Sequence, residues 1–185
     1  MNYTYGWVIS ILVEIRIKLK KPALLYFCFT LFYSCAEQKS SKYALPQNAT
    51  QLIASDSMKV WKIAKRYNNG NRMNMGHCFL AYKLIFNIDK TMRDNNEENS
   101  NCGKSIKGDW ELTETEMGHY LKLSSPLIPE LLNTTDSFKL FKILEMSDSL
   151  MIWTYSHKQF SNNSTTIKDY YIPENAHVKN RDFHY

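Results

Sequence analysis

The sequence predicts an all-β protein folded as an antiparallel up-and-down meander barrel of about eight strands. Three observations carry this reading. Seven or eight short β-prone segments follow one another from residue 58 onward. Turn-forming residues separate them at close spacing. No strand–helix alternation of the kind that builds a parallel sheet interrupts them. Closing such a meander on itself removes the exposed strand edges that an open sheet presents.

The first strand is Val60 to Tyr67, rich in β-formers and stopped by Asn68-Asn69-Gly70-Asn71, a tight-turn signature. Phe79 to Ile88 reads as the second. Its period-two pattern puts Leu80, Tyr82, Leu84, Phe86 and Ile88 on one buried face. Asp89-Lys90 turns the chain into Thr91-Met92-Arg93. The run Asp94 to Asn101 reads as a solvated loop. It has the amide and carboxylate density of a calcium loop but lacks the glycine and the closing glutamate that such a loop needs.

Gly108 to Thr113 is the next strand, with Trp110 and Leu112 alternating inward, and His119 to Leu123 follows it. Pro126 and Pro129 break the pattern, so Ile128 to Leu132 reads as a short helical turn over one barrel end. Three further strands cover Ser137–Met146, Ser149–His157 and Thr165–Ile172, with Ser147-Asp148 as a tight hairpin and Pro173 as a stop. The tail from Val178 is polar with aromatic punctuation, ending Phe183-His184-Tyr185.

Ahead of the barrel the chain reads as an address. Lys18, Lys20 and Lys21 lead into the apolar run Pro22 to Ser34, too short to span a bilayer, and the text turns polar after Cys35. A cysteine at that break reads as the lipid acceptor of a bacterial lipoprotein. This divides the chain into a signal peptide or anchor helix (1–34), a flexible tether (35–57) and a barrel domain with a C-terminal tail (58–185). Leu52-Ile53-Ala54 reads as a short helical turn near the domain entrance. Leu31 and Ser34 fit the lipoprotein pattern, and Tyr33 departs from it. An uncleaved anchor or a buried helix is the other reading of residues 22–34. The expected location is the cell envelope, on the periplasmic or surface side of the outer membrane, with the membrane as a partner through the N-terminal lipid.

Charge and cysteines fit that division. Cleavage removes Arg16, Lys18, Lys20 and Lys21 against Glu14, so the formal charge of +5 falls to about +2. No basic stripe interleaved with aromatics argues for nucleic acid. With Cys28 in the signal and Cys35 lipidated, Cys78 and Cys102 remain, an even pair in a chain bound for an oxidising compartment. A disulfide between them is expected, the other reading being two unrelated thiols. A zinc site is disfavoured because neither belongs to a Cys-x-x-Cys pair.

The order of residues along the barrel is informative as a set. Trp61 lies in the first strand, Cys78 before the second, Asp89-Lys90 in a short turn, then Cys102, and then Gly108 and Trp110 as Gly-x-Trp. This order resembles the lipocalin-like lipoproteins of Bacteroidetes-type bacteria over about residues 58–172 and the signal. The resemblance implies a meander barrel and little about activity. The turn departs from the family's Asp-Gly, and the chain runs on past Pro173.

An enzyme is not expected. His77, His119, His157, His177 and His184 are scattered without ligand spacing, and no nucleophile elbow, phosphate loop or dinucleotide fingerprint occurs. No metal or cofactor is expected either. The aromatics Trp61, Tyr82, Phe86, Trp110, Tyr120, Phe138, Trp153 and Tyr155 fall in strands. Of these, Trp61, Tyr82, Phe86, Trp110, Tyr120 and Trp153 are the candidate interior ligand contacts. A filled barrel and a ligand cavity both satisfy the alternation. A cavity suits a lipid, a pigment or another hydrophobic metabolite. A filled barrel suits an envelope interaction or assembly protein that uses a loop or the aromatic tail.

Overall fold

The computed structural model describes residues 43–158 and 163–184; the signal 1–34, Cys35 and the first part of the tether lie outside the described residues. The described chain runs α1 (Ala49–Ala54), β1 (Met58–Asn68), β2 (Asn71–Arg72), α2 (His77–Ala81), β3 (Lys83–Asn87), β4 (Thr91–Asp94), a 3-10 turn (Asn96–Glu98), β5 (Lys107–Thr115), β6 (Gly118–Ser124), α3 (Ile128–Leu132), β7 (Phe138–Met146), β8 (Met151–His157) and β9 (Thr165–Pro173). Every pairing is antiparallel, neighbours in space are neighbours in sequence apart from the short β2, which leaves β1 beside β3, and β1 pairs with β9 to close the sheet. Eight strands make the barrel, because β2 is only a two-residue extension of the β1 hairpin. At Asn69-Gly70 both residues adopt positive φ, 47° and 84°, as the expected tight turn requires.

One end is solid. Trp61, Phe86 and Trp110 are fully buried there beside Met146 and Met151, and the Phe86 and Trp110 rings meet edge to face at 5.7 Å. Helix α1 plugs this end. Ala49, Leu52, Ile53 and Ala54 are buried in the core, and Trp61 Nε1 donates to the Ile53 carbonyl at 2.8 Å. Residues 49–54 are thus part of the folded unit rather than of a free tether, because their apolar side covers an aromatic floor that water would otherwise reach.

Lys90, where the resemblance leads one to expect glycine, sits at φ 76°. Its Nζ donates to Thr50 Oγ1 at 3.0 Å and lies 3.9 Å over the Trp110 ring, so the strained turn residue also holds α1 in place. Gly108 is needed for a close approach: a side chain there would meet the Ser124 carbonyl oxygen at 1.9 Å.

The second strand differs from its sequence reading. Residues 77–81 are helix, so only Lys83–Asn87 pairs with β1, and it pairs with the first part of β1, Met58–Lys62. The upper part of β1 instead pairs with β9 along its other edge. Leu80 therefore lies in α2, and Ile88 is exposed past the strand end. The edge of β1 left open above Lys62 is covered by α2 and the C-terminal tail. Arg181 Nε donates to the Ile63 carbonyl at 2.6 Å, Met75 N donates to the Phe183 carbonyl, and Arg72 lies 4.4 Å over the Phe183 ring. Phe183 is thus occupied within the fold.

Candidate functional site

One irregularity and one ordinary inward position deliver charge to the barrel interior. Along β1, Trp61 and Ile63 face inward, and a bulge between Ile63 and Lys65 shifts the register by one residue. The parity of the strand switches there, and Arg66 rather than Lys65 enters the core. Directly across the seam, β9 turns Ile167, Asp169 and Tyr171 inward, all buried. Arg66 is 9% exposed and Asp169 is 1% exposed. Arg66 donates from Nε and Nη2 to the two oxygens of Asp169 at 2.6 and 2.7 Å. Trp153 Nε1 adds a longer donation to Asp169 Oδ2 at 3.3 Å. The guanidinium also lies 4.6 Å over the Phe79 ring.

Above this pair lies a cavity of about 200 Å³ at the end of the barrel opposite α1. Its apolar wall is Leu84, Met92, Ile106, Leu123 and Leu132. Its aromatic wall is a chain of rings: Phe141 to Trp153 at 4.7 Å, Phe141 to Tyr155 at 4.9 Å and Trp153 to Tyr171 at 4.6 Å. Arg66, Tyr82, Lys139 and His157 supply the polar lining. A second recess of about 330 Å³ is lined by Ile63, Phe79 of α2, Asn96 and the Cys78–Cys102 disulfide, and shares Arg66 and Tyr82 with the first.

The electrostatics follow from burial. Burial works against the Arg66 charge, but the Asp169 carboxylate outweighs it, and the guanidinium is held above its ordinary value. Burial pushes the Tyr82, Tyr155 and Tyr171 hydroxyls up, helped by the negative charge of Asp94 at Tyr82 and of Asp169 at the other two. These phenols are neutral donors at physiological pH. Burial lowers Lys139, whose ammonium donates to the Ser156 carbonyl at 2.7 Å. Burial, then the Lys139 and Arg66 charges, lower His157.

The rim is latched. Cys78 in α2 and Cys102 in the β4–β5 loop form a disulfide, with Cα atoms 5.3 Å apart. Asn95 Oδ1 accepts from Lys83 N at 2.7 Å, and Asn95 Nδ2 donates to the Ala81 carbonyl at 3.0 Å. Asp94 accepts from the backbone N–H groups of Asn96 and Ile106. The acidic loop is therefore a structural clasp whose first two residues are buried, and its tip alone is solvated. Among the described residues no group of three or more His, Cys, Asp or Glu side chains is placed to hold a metal.

The expected interior aromatics divide. Tyr82 and Trp153 line the cavity. Trp61, Phe86 and Trp110 are buried in the solid end and do not reach it. Tyr120 points away from the interior, because Leu121 and Leu123 take the inward parity of β6. Phe138 lies on the outer face of β7 for the same reason, at 38% exposure. Cys35 lies outside the described residues. Sequence reasoning missed Arg66, Asp169, Phe141 and Tyr171. A charged residue at an inward position of β9 was a readable signal for Asp169, whereas the bulge behind Arg66 left none. No protein-family model matches the chain, and no curated protein matches its sequence.

Proposed function

We propose that this protein is a non-enzymatic binding protein that holds one compact hydrophobic molecule in the open end of its barrel, and that it works from the cell envelope through a lipid on Cys35. The observation that carries the binding reading is the cavity of about 200 Å³ walled by Phe141, Trp153, Tyr155 and Tyr171 over the paired Arg66 and Asp169. An apolar cavity of about 150 Å³ takes benzene, and drug-sized ligands occupy roughly 300–1,000 Å³. The volume therefore suits a body of one ring or a short branched chain, smaller than a long acyl chain or an open pigment.

What supports the anchor is the sequence order alone: basic residues, a short apolar run, Ser34 and Cys35, then a polar stretch. The lipocalin-like resemblance adds the expectation of a meander, with which the observed strand order agrees. Native mass spectrometry of the protein extracted from its own cells tests the binding reading. A small co-purifying mass that is lost on denaturation supports it, and repeated empty spectra count against it. Intact-mass analysis of the same sample tests the anchor. A diacylglyceryl Cys35 at the mature N-terminus is expected, and an intact 1–34 segment contradicts it.

A further inference from the structure

We infer that the molecule held in this cavity is a compact monoanion, a single-ring or short-chain carboxylate, whose ring or chain lies against Phe141 and Trp153 and whose carboxylate meets Lys139 at the rim. The inference rests on the ligand-binding reading above and adds the charge of the ligand to it.

The charges that face the cavity set the charge it accepts. Among the described residues no acid lines it; Asp169, the partner of Arg66, has both oxygens engaged, one by Arg66 Nε and the other by Arg66 Nη2 and Trp153 Nε1. It gives a cationic ligand no direct contact, and it neutralises Arg66. The three tyrosine hydroxyls are uncharged, as derived above. That leaves Lys139. It follows the inward parity of Phe141 and Ile143 on β7, and its ammonium spends one donor on the Ser156 carbonyl. None of the ion pairs among the described residues includes it. The side chain is only partly exposed and lies 5.8 Å from the Tyr155 ring centre, so its remaining donors sit at a half-desolvated rim. A cation in that setting is better satisfied by a charged acceptor than by a neutral one, because a charge-assisted hydrogen bond is about twice as strong. His157, beside it, adds no negative charge. The cavity therefore repels a cationic ligand, tolerates a neutral one and favours an anion. The size limit excludes long-chain fatty acids and leaves acids of about ten non-hydrogen atoms.

Isothermal titration of the full chain with three probes of nearly equal shape separates the possibilities: phenylacetate, phenylacetamide and phenethylamine. Phenylacetate should bind about ten- to a hundredfold more tightly than phenylacetamide, with phenethylamine weakest. In Lys139→Met the phenylacetate advantage over phenylacetamide should vanish, with an unchanged thermal melt reporting an intact fold. If phenylacetamide or phenethylamine binds as tightly as phenylacetate, the inference about charge is overturned and the cavity reading stands. If the advantage survives in Lys139→Met, the assignment to Lys139 is overturned. If none of the three produces heat or moves the Trp153 indole signal in NMR spectra, the cavity reading itself fails and the inference goes with it.

Discussion

Arg66 and Asp169 are direct cross-strand partners at the β1–β9 seam that closes the barrel, and the guanidinium grips the carboxylate edge-on at 2.6 and 2.7 Å. The ladder that closes the meander is thus also the one that carries a buried ion pair. A pair so deeply buried gives up much of its hydration, so its net worth is small compared with the penalty for breaking it.

Removing one partner should be far worse than removing both. Asp169→Asn leaves Arg66 charged without its counterion, and urea unfolding should show a loss of about 3–5 kcal/mol. The double variant Arg66→Met with Asp169→Leu should recover most of that loss. A single variant costing less than about 1 kcal/mol would mean the pair is hydrated in solution.

Helix α1 is expected to be a plug. Ile53→Ala should destabilise the whole barrel by about 2–5 kcal/mol, the range for deleting a fully buried aliphatic side chain. Residues acting as a free tether would give a change within about 0.5 kcal/mol in the same chemical unfolding experiment.

Between Cys78 and Cys102 the sequence separation is 24 residues. Replacing both by alanine should cost about 3 kcal/mol, mostly by freeing the unfolded chain. Hydrogen exchange should then rise first in α2 and the β4–β5 loop, the segments the bridge joins. Equal protection with and without the bridge would contradict the clasp.

His157 gives a pH dependence with a definite sign. Its ordinary value of 6.5 is lowered in the fold by burial and by the Lys139 and Arg66 charges. The unfolded chain therefore binds the proton more readily, and stability falls as pH drops below 6.5 toward the depressed value. His157→Gln should flatten that slope between neutral and mildly acidic pH in thermal melts. A slope of the opposite sign in wild type would show that His157 gains a partner instead.

Much of the fold was legible from residues. The period-two pairs Leu84/Phe86 and Trp110/Leu112, the Asn69-Gly70 turn and the even cysteine pair led directly to the closed meander and its disulfide, although Ile85 between the first pair is buried as well. The site was legible only in part. Tyr82 and Trp153 were anticipated, but a rule of strict alternation cannot foresee a bulge, and the bulge at Ile63–Lys65 decides that Arg66 enters the core. Tyr120 was misplaced because aromatic character marks a strand without saying which face it takes. Phe79 and Leu80 looked like strand because both periods accept a short apolar run, and in the structure they lie in α2.

The most direct measurement is a crystal structure of the protein purified from its own cells, refined well enough to see the cavity. Electron density for one compact molecule against Phe141, Trp153 and Tyr171, with an acidic group within hydrogen-bond reach of Lys139 Nζ, is the expected result. A cavity closed by rearranged side chains, or holding only water, would contradict the binding reading.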